Sequence, residues 1–166
     1  MLTPEMMSHF EVRTNAHINL VQTHLQRLAG KYPEMRAELL QRAAKHDLHK
    51  FSKEGKEPYT WLTHKYKCLR EKVPFDSPGK AMEKRMETVV DDHYKCCPHH
   101  PEYHATPDAM SEVDVAEMIC DWQAVSDEYG SDINAWIDDN VGKRWKFDES
   151  HVTMIHRFVG DLVRIQ

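Results

Sequence analysis

Residues 3–30, TPEMMSHFEVRTNAHINLVQTHLQRLAG, open on a threonine, a proline and a glutamate and end on a glycine. Thr3 offers an oxygen to the free N–H groups of a first helical turn, Pro4 has no N–H to lose there, and Glu5 sits favourably at the positive end of a helix dipole. Between these ends His17, Leu20, Val21, His24, Leu25 and Leu28 recur at helical spacing. The stretch therefore reads as one amphipathic helix running to about Ala29 and closed by Gly30. Its inward stripe carries two imidazoles, His17 and His24, where a polar side chain needs a partner.

The same periodicity continues outward. A second helix from about Pro33 carries Leu39, Leu40, Ala43 and Ala44 and delivers His46-Asp47 at its end. Ser52 can cap a third, through Tyr59, Trp61, Leu62, Tyr66 and Leu69, which Pro74 stops. Ser77-Pro78 opens a fourth, with Met82, Met86, Val89 and His93 on one face. After the loop CCPHHPEYHATPDAM, Ser111 and Asp114 form a capping-box variant for a fifth, with Val113, Glu117, Cys120, Asp121 and Ala124 along one side. Ser131 caps a short helix with Ile133, Trp136 and Ile137, and a last one from about Asp148 buries Ile155, Phe158, Val159 and Leu162, either in the core or in a homodimer seam. No segment alternates over strand length, so the expectation is an all-α bundle of about seven helices. At 166 residues there is room for one domain, 1–166, with a real core.

A formal charge of -5 and a pI near 6.2 disfavour nonspecific binding to a nucleic-acid backbone. A small anionic substrate would be held by a few placed cations or a metal. No apolar stretch approaches bilayer length and the N-terminus lacks the pattern of a signal peptide, so no membrane role and a cytoplasmic location are expected. Cys68, Cys96, Cys97 and Cys120 then read as reduced thiols. Twelve histidines, not in a terminal run, are the anomaly of the composition.

Several of these imidazoles fall into an ordered set with carboxylates: His17, then His46-Asp47, then His93, then His99 and His100, then Asp121. A divalent metal for hydrolysis needs nitrogen and oxygen ligands held rigidly with one position left for water. His17, His46, Asp47 and Asp121 supply them from three helices, and His93 with His99 or His100 allows a second ion, bridged by Asp47. Asp47 at a helix C-terminus faces partial negative charge, a conflict that a cation resolves. Glu117, one turn before Asp121, reads as a carboxylate that orients a ligating imidazole or as half of a buried ion pair. Taken alone, His17 is a core histidine bonded to a carbonyl; beside the His-Asp pair and Asp121 it becomes a ligand. Trp122 is core, or a ring that stacks on a base. Glu102, Tyr103, His104 and His24 read as solvated groups at the mouth of a site. A structural zinc on Cys96, Cys97, His99 and His100 is the main rival, but adjacent cysteines strain a tetrahedral site and the CxxC spacing is missing. Gly-rich phosphate loops, GxSxG and HExxH are absent.

The order of these residues resembles the HD-domain superfamily of metal-dependent phosphohydrolases, and the segment HDLHK at 46–50 resembles its HD-x-G-K segment, with His49 in place of the glycine. HDLHKF, HHPEY and EMICDW are further similar to signatures of an uncharacterised family of bacteria and phages, over about His17 to Trp122. The superfamily resemblance implies a helical fold with His17, His46, Asp47 and Asp121 as ligands, His93 and His100 at a second ion (His100 preferred to His99), and Lys50 on substrate phosphate. The implied activity is hydrolysis of a nucleotide or similar small phosphate ester, with Asp47 and Lys50 catalytic. It uses one or two divalent metals, Mn, Fe, Co or Zn in preference to Mg, because the donors are nitrogen-rich. Two other readings use the same residues: a di-iron oxygenase of the same fold, and a non-catalytic metal- or nucleotide-binding scaffold.

Overall fold

The computed structural model describes residues 1–164. It is all-helical, with seven α-helices: α1 (Pro4–Lys31), α2 (Arg36–Lys45), α3 (Lys56–Glu71), α4 (Lys80–Cys96), α5 (Glu112–Tyr129), α6 (Ile133–Asn140) and α7 (Glu149–Arg164). Among the described residues there is no strand, only an isolated bridge between Val141 and Trp145. None of the described helices is long and apolar enough to cross a membrane.

The chain forms two compact units. The first comprises Met1–Ala16 and Asp47–His93; the second comprises His17–His46 and Tyr94–Gln166. The first thus holds the start of α1, all of α3 and most of α4, and the second holds the rest of α1 together with α2 and α5–α7.

Most helix ends follow the sequence signals, and the exceptions have local causes. Thr3 Oγ1 accepts from the Met6 N–H at 3.3 Å, as a capping threonine should. Gly30 does not end α1, which runs on to Lys31; Gly30 is absent from the residues with positive φ, so it takes ordinary helical backbone. Ser52 lies one turn too early to cap α3. Its hydroxyl instead accepts from the Gly55 N–H at 3.0 Å, and Gly55 precedes the helix. A β-carbon on Gly55 would meet Ser52 Oγ at 3.0 Å and the His49 carbonyl at 3.1 Å, so a larger residue would make these neighbours give by a few tenths of an ångström. The Ser111–Asp114 capping box forms in full. Gly130, at φ 63°, then closes α5 in the left-handed conformation that a residue without Cβ adopts without strain. Asp132, not Ser131, caps α6, accepting from the Asn134 N–H at 2.9 Å. Asp148 caps α7 through the His151 N–H at 2.8 Å.

In the second unit α5 is the central helix. Its buried residues run from Val113 through Cys120 without a break and continue at Trp122, Gln123, Ala124 and Ser126. Around it pack Val21, Leu25 and Leu28 of α1, Leu39 and Ala43 of α2, Ile133 and Ile137 of α6, and Ile155, Phe158, Val159 and Leu162 of α7. The apolar face of α7 therefore belongs to the core of this unit. Each fully buried Leu, Ile or Phe contributes about 1.5–3 kcal/mol by leaving water. The first unit has a smaller core, Met6, Trp61 and Met86, with Leu2, Leu62, Phe75 and Met82 against it. There the Tyr59 hydroxyl donates to the Val89 carbonyl at 2.8 Å and ties α3 to α4.

Several apolar side chains expected inside are not. Leu40, Tyr66, Leu69 and Trp136 are exposed, because each helix buries a narrower stripe than its apolar content allows.

Candidate metal centre

In the second unit, residues seventeen and twenty-four of α1 face α5 two turns apart. His17 Nε2 lies 2.9 Å from Asp121 Oδ1, and His24 Nε2 lies 2.8 Å from Asp127 Oδ2. Both numbers rise together, so the two helices run in the same sense along this contact. Of the four residues expected as ligands within this unit, His17, His46 and Asp121 meet here, whereas His100 packs against Tyr94. His46 Nε2 stands 3.6 Å from the same Asp121 oxygen, so two imidazole nitrogens converge on one carboxylate. His17, His46 and Asp121 derive from the end of no single element: the first two stand on α1 and just past α2, the third in mid-α5. His46 is brought inward by leaving the helix, with φ -50° and ψ 123°.

The other edge of His46 is held by Glu117. His46 Nδ1 is 2.9 Å from Glu117 Oε1, and His99 Nδ1 is 3.3 Å from that oxygen. Arg42 donates to Glu117 Oε2 at 3.0 Å and to Asp114 at 2.6 Å. His46, His99 and Glu117 offer ligand atoms within 4.8 Å of one another and could themselves hold an ion. The Arg42 guanidinium decides against that use: it already neutralises Glu117, and a cation on the same carboxylate would face a fixed positive charge. Glu117 is better described as the anchor that sets the His46 ring.

The charges in this cluster are well defined. Burial alone would raise the Asp121 carboxyl, but hydrogen bonds from His17 and His46, and their charge, outweigh it and hold Asp121 well below the usual carboxylate range. Burial likewise works against Glu117, and His46 and His99 overcome it, so its carboxyl is also held low. Burial opposes the charge on Arg42 too, yet Glu117 and Asp114 raise its pKa. Cys120, next to Asp121, is pushed well above its ordinary value by burial and by both carboxylates. It is an inert thiol rather than a ligand or nucleophile.

The first unit carries further candidate ligands. Asp47 follows His46 directly and takes φ 58°, the left-handed region that few residues other than glycine enter; aspartate is among those that tolerate it. Its Oδ1 lies 3.8 Å from His93 Nε2, and its Oδ2 accepts a short hydrogen bond from the Lys50 ammonium. Lys50 therefore neutralises Asp47 in this conformation. His93 Nδ1 is 3.0 Å from His49 Nε2, and the two rings stack at 4.9 Å. His49 is a residue that sequence reasoning passed over. It had been noticed only as the replacement for a glycine, although its place three residues after His46, in a chain so rich in histidine, was the available signal. Arg42 was also missed, since nothing in one sequence marks which arginine meets Glu117.

The adjacent histidines divide their roles. His99 is buried and reaches Glu117, whereas His100 packs edge-on against Tyr94 at 4.8 Å. His100 and Asp121 both line a cavity of about 230 Å³. Among the described residues, Cys96 belongs to none of the close groups of metal-type ligands, so the four-residue zinc site is not assembled. His24 is buried and bonded to Asp127, which corrects its reading as a solvated group; burial is the main cause of its lowered pKa. His104 bonds the Pro98 carbonyl, and Glu102 accepts from Arg144 and from the Trp145 indole. A larger cavity of about 490 Å³ in the first unit, lined by His9, Trp61, His64 and Lys67, includes none of Asp47, His49, Lys50 or His93.

The donor chemistry fits a divalent transition metal. Imidazole nitrogens with a carboxylate suit Mn, Fe, Co or Zn, and Mg favours oxygen alone. The chain belongs to DUF5662, described as a family of unknown function, whose model matches residues 6–161. No curated protein and no solved structure matches it.

Proposed function

We propose that this chain is a metal-dependent phosphohydrolase of the HD-domain type, acting on a nucleotide or a similar small phosphate ester. One observation carries the reading. His46 Nε2 at 3.6 Å and His17 Nε2 at 2.9 Å converge on one Asp121 oxygen, while Glu117 lies 2.9 Å from the other ring nitrogen of His46. With both imidazoles neutral, this would be a nitrogen, nitrogen, oxygen donor set for a cation.

The proposed ligands are His17, His46 and Asp121 for an ion in the second unit, and Asp47 and His93 for an ion in the first. A bound metal would polarise phosphoryl oxygen and lower the pKa of its water from 15.7 to about 7. Glu117 fixes the His46 tautomer and ring angle. Arg42 donates to Glu117 and holds its carboxylate in place. His17, 2.9 Å from Asp121, holds that carboxylate in position. Lys50, paired with Asp47 in the resting protein, is the cation nearest the first-unit ligands and would transfer its ammonium to substrate phosphate.

The test is metal content by mass spectrometry on protein purified without an affinity-metal step, for wild type, Asp47→Ala and Asp121→Asn, followed by a screen of nucleotides and other phosphate esters. One to two equivalents of Mn, Fe, Co or Zn, lost in both variants, with phosphate release abolished by chelation, is the expected result. Iron with oxygen consumption and no phosphate release would replace hydrolysis by an oxygenase. Folded wild type that takes up no added metal would leave a binding scaffold.

A further inference from the structure

The cavity that Asp121 and His100 enter is walled by three of the four tryptophans of the chain, Trp122, Trp136 and Trp145. Trp122 and Trp145 stack at 5.5 Å with 18° between their planes, and Trp136 stands edge-on to Trp122 at 6.3 Å. Trp122 and Trp145 are buried and belong to the core, but Trp136 is 43 % exposed while its neighbours Ile133 and Ile137 are buried. Helix α6 thus anchors itself with isoleucines and presents its indole to the cavity.

At about 230 Å³ the space is smaller than the roughly 300–1,000 Å³ of pockets that enclose a whole drug-sized ligand. It fits one ring system, not a complete nucleotide. The polar residues that line it are Tyr94, His100, Asp121, Ser126, Ser131 and Arg144. Arg144 is itself held, its guanidinium 4.2 Å from the Trp145 ring centre and donating to Glu102 at 3.0 Å. An anion would need a cation not already matched by a carboxylate. Flat aromatic walls with a few edge donors and acceptors match a nitrogen heterocycle, which stacks through its face and is read along its edge.

We propose that this cavity binds the base of a nucleotide substrate, stacked on Trp136 with its edge toward Ser126 and Ser131, so that the phosphate end leaves past His100 and Asp121. The proposal rests on the phosphohydrolase reading for the reaction, but the base site can be tested without it. Adenosine, guanosine, cytidine and uridine, which carry no phosphate, are titrated into the full chain while tryptophan fluorescence is followed, with ribose as control. Saturable quenching by at least one nucleoside and none by ribose is expected. Trp136→Ala should weaken that binding at least about five-fold, the low end for loss of one stacked ring, and Trp136→Phe should largely restore it. Metal uptake in both variants reports that the neighbouring ligands are intact. No quenching by any nucleoside, or unchanged affinity in Trp136→Ala, overturns the base site even if nucleotides are hydrolysed. Nucleoside binding that depends on Trp136, without any phosphate release, keeps the base site and sinks the hydrolase.

Discussion

Glu117→Gln removes one charge and almost no volume at the point where three donors meet. His46 Nδ1 at 2.9 Å, His99 Nδ1 at 3.3 Å and Arg42 Nη1 at 3.0 Å all face the carboxylate, and Glu117 is 3 % exposed. A carboxamide has one accepting oxygen and one donating nitrogen, so its NH2 must oppose at least one of these donors. A hydrogen bond to a charged group is worth about 1.5–3 kcal/mol. Leaving Arg42 wholly unpaired would cost about 3–5 kcal/mol, but it keeps Asp114 at 2.6 Å. The expected loss is therefore about 2–3 kcal/mol, or a Tm lower by roughly 4–12 °C for a chain of this size. Because Glu117 also sets the His46 ring, affinity for Mn or Co should fall about 10–100-fold. Thermal unfolding of the metal-free protein and a metal titration measure the two effects separately. A Tm within about 2 °C of wild type refutes the account of Glu117 as a buried tie point. A lowered Tm with unchanged metal affinity refutes its role in positioning His46.

Four further outcomes follow from the same geometry. Phe158, fully buried and edge-on to Tyr32 at 5.4 Å, should cost about 3–5 kcal/mol as Phe158→Ala, read by urea unfolding; a loss under about 1 kcal/mol would mean that the second-unit core is not packed as described. Hydrogen bonds from His151 to Asp148 hold that carboxyl at about 2. A depressed carboxyl stabilises above its unfolded pKa and loses the effect as pH falls through the folded value, so Asp148→Ala should lower Tm at pH 6 and converge with wild type toward pH 2. A constant Tm gap across that range would exclude the cap as its source. Metal binding at pH 6 should release protons, since imidazole ligates only in its neutral form; calorimetry in buffers of different ionisation enthalpy would show no buffer dependence if the idea is wrong. Lys50→Met should raise KM for phosphate esters by about ten-fold or more through loss of a charged contact, while equal KM in both proteins would confine Lys50 to its bond with Asp47.

The sequence by itself determined the helices and the residue types they bring together as candidate ligands. Helical spacing and capping chemistry are local, so the starts of α1, α5 and α7 were readable from Thr3, Ser111 and Asp148, and the imidazoles and carboxylates named as ligands all proved to be buried or to line the cavity. Local signals failed where local options were nearly equal: Gly30 continues a helix, Asp132 caps where Ser131 was expected, and Trp136 faces outward although its spacing with Ile133 allowed either side. What only the tertiary structure decided was partnership. Which carboxylate meets which imidazole depends on how α1, α2 and α5 pack in the second unit, and that is set by burial of residues such as Val21, Leu39 and Ile119. The pairing of Glu117 with Arg42 and His99 arises this way, that of His49 with His93 depends on packing within the first unit, and Lys50 meets Asp47 locally, three residues away. Propensity acts over a turn or two of chain, whereas a charge buried at low dielectric is matched by whatever the packing brings within about 3 Å.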